Sequence, residues 1–293
     1  MFKMVAYFRR QKMRKYLPET LLASCLVLTA LICGCCMCWG WPAKMHYERT
    51  EQLSASMAGI EQIKIDTSFG EVKITGTDTT ECKALAKING QAPTLEEAKQ
   101  LAEQTKITLV TEGKVLIFRI EKPHLDHNRS IGVSYDVIVP NKTGIKCETS
   151  FGKVKLKNIT GDIDAKTSFG KIYAENITGK MRLDTSYGEV DCEAITTDDF
   201  RAKSSYGKMD IDFSDACPAD LRVKIETSFG DVDVDIPPNF AGDIAVETSF
   251  GSVKTELPIT VKGEVGNTRL KGTIGEGKGK IVLNTSFGSI KIK

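Results

Sequence analysis

Apolar and polar residues alternate along most of the chain after residue 60, and the alternation changes parity at a recurring glycine. In DTSFGEVKI, residues 66–74, Thr67 and Phe69 share one parity, Gly70 follows, and the apolar positions resume at Val72. Strict alternation predicts a strand with one buried face. Because glycine adopts unusual backbone angles at little cost, a parity change there predicts a bend or bulge. Each unit is therefore predicted to be a strand, an aromatic-Gly corner and a second strand.

The Thr/Ser-Ser-aromatic-Gly phrase occurs eight times, and the spacings between successive glycines are 82, 18, 18, 19, 23, 21 and 37 residues. Self-similarity with a period near twenty residues is typical of a solenoid. The fold class predicted is mainly β, a β-solenoid or β-helix-like stack of coils of 18–23 residues, with a missing copy near Lys271–Gly272. The repeat positions, to which we assign a structural role, are Phe69, Gly70, Phe151, Gly152, Phe169, Gly170, Tyr187, Gly188, Tyr206, Gly207, Phe229, Gly230, Phe250, Gly251, Phe287 and Gly288.

Stacked coils bring equivalent residues into columns, and two columns matter for stability. We expect the eight aromatic rings to point inward, where burial of one Phe contributes about 1.5–3 kcal/mol. The hydroxyl residues two positions earlier should form a second buried column, and each needs a hydrogen-bond partner. That column consists of Thr67, Thr149, Thr167, Thr185, Ser204, Thr227, Thr248 and Thr285.

The 82-residue gap contains a segment of a different kind. Thr94 and Glu97 have capping-box spacing, which predicts a helix over 94–105. A strand over 82–88, the hairpin KITLVTEGKVLIFRI and the strand SYDVIVP surround it. We expect residues 60–144 to cap the N-terminal end of the repeats at 145–293, because an uncovered strand edge invites aggregation. Lys291 and Lys293 should protect the opposite edge.

The N-terminal segment has the features of a membrane anchor. Residues 21–41 contain no charged side chain, and about 20 apolar residues suffice to cross a bilayer as a helix. Residues 1–20 carry a net charge of +5, which favours a cytoplasmic N-terminus. Residues 42–59 are then a linker. A lipoprotein signal ending at Cys35 and a cleaved secretory signal are the alternatives. All three place residues 60–293 outside the cytoplasm, in the periplasm or on the cell surface.

Composition narrows the function classes. The formal net charge is +2, so the chain after residue 20 sums to −3, which argues against a nucleic-acid partner. We find no paired CxxC spacing for zinc and no nucleotide-binding or Ser-His-Asp motif in its required context, and expect no catalytic, cofactor or metal residues. Cys147 and Cys192 have inward strand positions and are expected in the core, with a disulfide as the alternative, and Cys82 and Cys217 could pair with each other.

Two clusters invite a catalytic or metal-binding interpretation. Asp231, Asp233 and Asp235 have the carboxylates that a cation site or a sugar-cleaving enzyme requires. However, they occupy the outward positions of an alternating strand, which indicates a solvated face. His124 and His127 follow a proline in a polar stretch, and the spacing supplies no third ligand, which indicates a loop.

The segments SYDVIVPNKTGIKCETSFGKVKL and NITGDIDAKTSFGKI resemble the DUF4097 family of candidate adhesins from bacterial envelopes, over about residues 60–293. The resemblance rests on a strand that ends in Val-Pro, a short turn and then repeated strand–aromatic–Gly–strand units. It implies an exported β-solenoid-like domain, often tethered to a membrane, and it carries no catalytic residues over to this chain. Here the aromatic residue is nearly constant, whereas family repeats often have Asn before the Gly.

These observations favour a non-enzymatic, membrane-anchored protein with an adhesin-like binding role or an envelope scaffolding role. Its expected partners are the membrane, through residues 21–41, and an envelope protein or polysaccharide. A polysaccharide-processing β-helix enzyme is one alternative, but such enzymes build a cleft from long loops, and the repeats between Gly152 and Gly207 are nearly minimal. An accessory protein of an envelope-stress sensor is another alternative.

Overall fold

The computed structural model describes residues 44–261 and 266–293, which form one unit of two large sheets and a short helix. Sheet A contains, in spatial order, β1 (Met45–Ser56), β4 (Glu81–Ala92), β7 (Ser130–Pro140), β3 (Val72–Thr77), β9 (Val154–Thr160), β11 (Ile172–Thr178), β13 (Val190–Thr196), β15 (Met209–Phe213), β17 (Val232–Asp235), β23 (Ile290–Ile292) and β19 (Val253–Thr255). Sheet B contains β20 (Thr260–Val261), β21 (Arg269–Ile274), β18 (Gly242–Phe250), β22 (Gly279–Phe287), β16 (Arg222–Phe229), β14 (Asp199–Tyr206), β12 (Met181–Tyr187), β10 (Ile163–Phe169), β8 (Gly144–Phe151), β2 (Gln62–Phe69), β6 (Val115–Glu121) and β5 (Lys106–Glu112). The alternating apolar residues of both sheets meet in a single core.

Each repeat forms one coil, in which a strand of sheet B leads through the aromatic-Gly corner into a strand of sheet A. Neighbouring coils pair in parallel with equivalent residues aligned, so that Ile163 lies beside Ile145 on one side and Met181 on the other. The predicted stack of parallel coils is therefore confirmed. The eight coils are numbered here by their order in the stack, and their corner aromatics are Phe69, Phe151, Phe169, Tyr187, Tyr206, Phe229, Phe287 and Phe250.

The buried hydroxyl column explains why Thr and Gly recur three residues apart. Thr167 is 5% exposed, and its Oγ1 donates to the carbonyl oxygen of Gly152 in the preceding coil at 3.1 Å. The same bond from one coil to the next is made by Thr149, Thr185, Ser204, Thr285 and Thr248. Thr227 is equally buried, but its hydroxyl has no hydrogen-bond partner.

The corner glycines are required because the coils approach closely there. A Cβ at Gly170 would lie 2.0 Å from the carbonyl oxygen of Gly152, a distance that no side chain tolerates. Some corners also have the left-handed backbone that favours glycine, such as Gly207 with φ +151°. The glycine therefore both turns the chain and lets the next coil pack.

The segment between coils 1 and 2 covers the N-terminal end of the stack, as predicted. β6 pairs with β2, and β7 pairs with β3, so the two strands form an additional layer beyond coil 1. The helix α1 (Leu95–Gln104) begins after Thr94, whose side chain accepts a hydrogen bond from the Glu97 N–H at 3.3 Å. Ala98, Leu101 and Ala102 form its buried stripe, whereas Leu95 at its first position is exposed.

The prediction that residues 42–59 form a linker is wrong over most of that range. β1 pairs with β4 along twelve residues, and its Arg49 side chain donates to the carbonyl oxygens of Ala102 and Thr105 at the end of α1. Every second residue of β1 is only partly buried, because the strand lies at the edge of the sheet. Its alternation of apolar and polar residues is therefore weak, and the sequence did not identify it as a strand.

The C-terminal coils do not stack in sequence order. β22 lies between β16 and β18, and β23 lies between β17 and β19, so the coil that ends at Lys293 is inserted between two earlier ones. The expected missing copy near Lys271–Gly272 is therefore wrong, because β21 runs antiparallel to β18 as an outer strand. Lys291 and Lys293 do not protect an edge either; they form ion pairs with Glu256 and Asp233.

The predicted anchor over residues 21–41 and the basic segment over 1–20 lie outside the described residues. Among the residues that are described, no helix has both the length and the apolar character needed to span a membrane.

Candidate binding surface

The eight corner aromatics form a continuous exposed ridge along one edge of the stack. Their exposed fractions lie between 41% for Phe229 and 66% for Phe250. The prediction that these rings point inward is therefore wrong, although the prediction that they form a column is correct. This aromatic ridge is the largest departure of the structure from the sequence-based expectation.

The rings of the ridge are stacked face to face. Successive ring centroids are 4.7–5.0 Å apart, and neighbouring planes differ by only 1–7°. The seven steps add up to about 34 Å along the stack, and each step matches the spacing of paired strands. Because each inner ring is covered on both faces by its neighbours, it presents its edge to solvent.

The orientation of the rings follows from the corner. In coil 1, Ile63, Ile65 and Thr67 point inward, and Phe69 has the same parity. However, the strand turns at Gly70, so Phe69 projects from the edge where the two sheets meet and not into the core. The presence of two tyrosines among the eight aromatic residues could have indicated that the rings are exposed. A phenol hydroxyl buried in an apolar column would need a hydrogen-bond partner.

The exposed area of the ridge exceeds what a monomer usually presents. An aromatic side chain has about 150–250 Å² to bury, so exposure of nearly half of each of the eight aromatic residues leaves about 600–900 Å² in one strip. Contiguous apolar patches on monomers are rarely larger than about 300–600 Å². A strip of this size indicates a surface that binds another molecule.

A second column of residues runs beside the ridge, one residue after each corner glycine. Backbone bonds hold it in register; for example, the Ile172 N–H donates to the Glu189 carbonyl oxygen at 2.9 Å, and the Val190 N–H donates to that of Lys208 at 3.0 Å. We call it the corner column, and from coil 1 to coil 8 it consists of Glu71, Lys153, Lys171, Glu189, Lys208, Asp231, Ser289 and Ser252. The ridge is therefore bordered by a fixed pattern of charges.

The structure does not bring Asp231, Asp233 and Asp235 together as a catalytic group. Asp231 accepts a hydrogen bond from the Ser289 N–H at 2.7 Å, and Asp233 pairs with Lys293 at 3.4 Å. The three side chains lie along one strand, on the outer surface of sheet A. Burial, together with the charge of Asp235, raises the pKa of the neighbouring Asp212 above its usual range.

The predicted loop histidines lie between β6 and β7. The His124 side chain is 92% exposed, and its Nε2 is 3.8 Å from an Asp126 oxygen. Within residues 44–261 and 266–293, no group of three His, Cys, Asp or Glu side chains is arranged to hold a metal ion.

The cysteines Cys82, Cys147, Cys192 and Cys217 are all buried free thiols. The inward positions predicted for Cys147 and Cys192 are confirmed, and the possible pairing of Cys82 with Cys217 is not present. Burial raises the pKa of Cys82 to about 11 and that of Cys147 to about 12. Cys217 is held further by a bond from its Sγ to the Ile195 carbonyl oxygen at 3.2 Å. A thiol with a raised pKa is a poor nucleophile, so these residues belong to the core.

Comparison with known proteins identifies the family of this chain. A comparison with curated protein sequences gave no match. Three solved structures are similar. A candidate cell adhesion protein of Clostridium sporogenes has 17% sequence identity and a TM-score of 0.40, and the match covers 84% of this chain and 99% of that one. Candidate adhesins of Bacteroides fragilis and Parabacteroides merdae have 13% and 11% identity and TM-scores of 0.34 and 0.36, and the matches cover 86% and 84% of this chain and 99% and 96% of theirs. The sequence profile described as Toastrack DUF4097 matches residues 133–293, more than half of the chain. The chain therefore belongs to the Toastrack DUF4097 family.

Proposed function

We propose that this protein is a non-enzymatic binding protein of the cell envelope that contacts its partner through the aromatic ridge. The observation that supports this most directly is the strip of eight half-exposed rings. Exposed apolar strips of this area are typical of interaction surfaces, and aromatic residues are enriched at the centres of protein interfaces.

The orientation of the rings favours a protein partner over a polysaccharide. A sugar ring stacks on the face of an aromatic ring, whereas the inner rings of the ridge use both faces to contact each other. An edge-on strip instead suits the apolar side chains of another protein. Phe250 at the end of the ridge, with 66% of its surface exposed, is the ring best placed for a sugar.

The proposal includes a single-pass membrane anchor over residues 21–41, with the N-terminus in the cytoplasm and the repeat domain outside it. The length, the absence of charge and the preceding basic segment support this arrangement. The test is protease added to cells that produce the chain with an epitope tag after Lys293 and whose outer barrier has been opened while the cytoplasmic membrane stays intact. Loss of the tag is expected, and protection until the cells are lysed would contradict the external location.

The binding role is tested by replacing the two central rings, as Tyr187→Ser with Tyr206→Ser. Purified full chain carrying an epitope tag is incubated with envelope material from cells that produce the untagged chain, and the tagged protein that sediments with the material is measured. We expect the double variant to lose most of its binding. The matched control is Ile138→Ser, which changes a 41% exposed apolar residue on the outer face of sheet A, away from the ridge.

Two outcomes would contradict the proposed function. Equal binding by the ridge variant and the wild type would mean that the ridge is not the contact surface. Release of reducing ends from an envelope polysaccharide, abolished by joint replacement of Asp231, Asp233 and Asp235 with Asn, would mean that the protein is an enzyme.

A further inference from the structure

We infer that the partner of the aromatic ridge is the ridge of a second copy of this chain, turned end for end about a two-fold axis between coils 4 and 5. This inference rests on the proposed function, since it takes the ridge to be a binding surface. Three properties of the ridge carry it: its area, the position of its tyrosines and the charge pattern of the corner column.

The area of the ridge fits a dimer. A stable protein interface buries about 800 Å² on each partner, and the ridge exposes about 600–900 Å². Successive ring centroids are 4.7–5.0 Å apart along the whole ridge, so two antiparallel copies share one repeat distance and can stay in register over the eight coils. A two-fold interface requires a surface complementary to itself, which the next two properties supply.

The tyrosines occupy the two central coils. In an antiparallel dimer with full overlap, coil 4 faces coil 5 of the partner, so Tyr187 meets the second copy's Tyr206, and the same contact recurs on the other side of the axis. All other coils pair Phe with Phe. The two phenol hydroxyls can then hydrogen-bond to each other across the interface. A shift by one coil would place a tyrosine against a phenylalanine and leave a hydroxyl buried without a partner, which is costly.

The corner column shows the same self-complementarity. The two-fold axis lies in the interface plane and is perpendicular to the ridge. Rotation about it reverses the direction of the ridge but keeps the corner column on the same side, so the two corner columns face each other. Coil 3 then faces coil 6, which sets Lys171 opposite Asp231, and coil 4 faces coil 5, which sets Glu189 opposite Lys208. Each contact occurs twice by symmetry.

Neighbouring registers place like charges together. A shift by one coil in one direction sets Lys171 against Lys208 and Glu189 against its own copy. A shift in the other direction sets Glu189 against Asp231 and Lys208 against its own copy. Contacts that penalise the wrong alignments determine specificity as effectively as contacts that favour the right one. The full-overlap register is therefore distinguished by both the hydroxyls and the charges.

The inference is tested by charge reversal and rescue in the full chain, purified in detergent, with the molar mass measured by sedimentation over a concentration range. The wild type should be a dimer. Lys171→Glu and Asp231→Lys should each raise the dimer dissociation constant by about tenfold or more, because each replaces two attractive contacts with two repulsive ones. The double variant should recover wild-type dimerisation. Lys153→Glu is the matched control, because Lys153 lies in the same column but faces Ser289 in the proposed register.

A second pair tests the same register at the central coils. Within its own chain, Lys171 forms ion pairs with Asp191 at 2.7 Å and with Glu189 at 3.7 Å, and Lys208 pairs with Asp210. The test therefore depends on rescue by each double variant and not on the effect of a single substitution. Glu189→Lys and Lys208→Glu should weaken the dimer singly and restore it together. A monomeric wild type, absence of rescue in both double variants, or an equal effect of Lys153→Glu would each overturn the inference.

The two proposals fail in different ways. A monomeric wild type whose binding to envelope material still depends on Tyr187 and Tyr206 would refute the dimer and leave the proposed function standing. A dimer that obeys the charge rescue but binds envelope material equally well without the two tyrosines would refute the ridge as the envelope contact and leave the dimer standing.

Discussion

The buried hydroxyl column allows the same substitution to be made at two equivalent positions with opposite expected effects. Thr167 and Thr227 both occupy the third position before a corner glycine, and both are buried. The Thr167 hydroxyl donates to the Gly152 carbonyl oxygen at 3.1 Å, whereas the Thr227 hydroxyl has no partner. Valine has nearly the same shape as threonine, so replacement removes the hydroxyl and leaves little empty space.

The magnitudes follow from the cost of unsatisfied polar groups. Thr167→Val removes a buried hydrogen bond and leaves the Gly152 carbonyl oxygen without that donor, which should lower the free energy of unfolding by about 1–2 kcal/mol. Thr227→Val removes a hydroxyl that is already buried without compensation, which should raise the free energy of unfolding by up to about 1 kcal/mol. The two variants should therefore differ by about 2 kcal/mol.

The assay is urea unfolding of the purified full chain followed by circular dichroism, with midpoints compared at constant slope. Thr167→Ser is the control, because it keeps the hydroxyl and removes only a methyl group. Unchanged stability of Thr167→Val would refute the reasoning, since it would mean that the hydrogen bond to the neighbouring coil contributes nothing. A destabilising Thr227→Val would mean that its hydroxyl has a partner.

Four further outcomes are expected. Phe169→Ala should lower the free energy of unfolding by about 2 kcal/mol in the same urea assay, because a half-exposed ring with two stacked neighbours is removed. Phe250 has one stacked neighbour, so Phe250→Ala should lower the free energy of unfolding by less than half as much. Equal losses in the two variants would contradict a contribution from stacking. Ala194→Gly should raise the free energy of unfolding by about 1 kcal/mol, because Ala194 has φ +54°, at the position where the preceding coils have Asn158 and Asn176; an unchanged melting temperature would mean that the backbone relaxes. The raised pKa of Asp212 means that its charged form destabilises the folded state once the pH rises through that pKa, so Asp212→Asn should raise the melting temperature at pH 7 but not at pH 3. Because burial raises the pKa of Cys147 from 9.0 to about 12, stability should fall as the pH rises above about 9, and a titration of Cys147→Ala by thermal melting should show a smaller fall than the wild type.

The repeat architecture could be predicted because it depends on the local alternation of apolar and polar residues. The alternation through Ile63 and Ile65, and the parity change at Gly70, define both strands of a coil without reference to anything distant. The helix after Thr94 was predicted to within a residue at each end for the same reason, since its cap is local. The inward position of the threonine column also followed from alternation alone.

The features that could not be predicted depend on tertiary structure at the corners of the coils and at the ends of the stack. Alternation extended through the corner would bury Phe69, but the bend that the same glycine introduces turns the ring outward. The order of the last coils depends on a choice between pairing partners that look alike in sequence, because Phe229, Phe250 and Phe287 all end similar strands. The weak alternation of β1 reflects an edge position, which no local pattern reports.

The inserted coil has a consequence for how the domain is made. In a solenoid each repeat contacts only its neighbours, and folding propagates from one repeat to the next. Here β18 and β19 precede β22 and β23 in the chain but lie beyond them in the stack. During synthesis, β18 and β19 therefore lack the parallel strands that join them to coil 6 until residues 279–293 are made. A chain released before residue 279 would leave the edges of β16 and β17 unpaired for proteases to recognise.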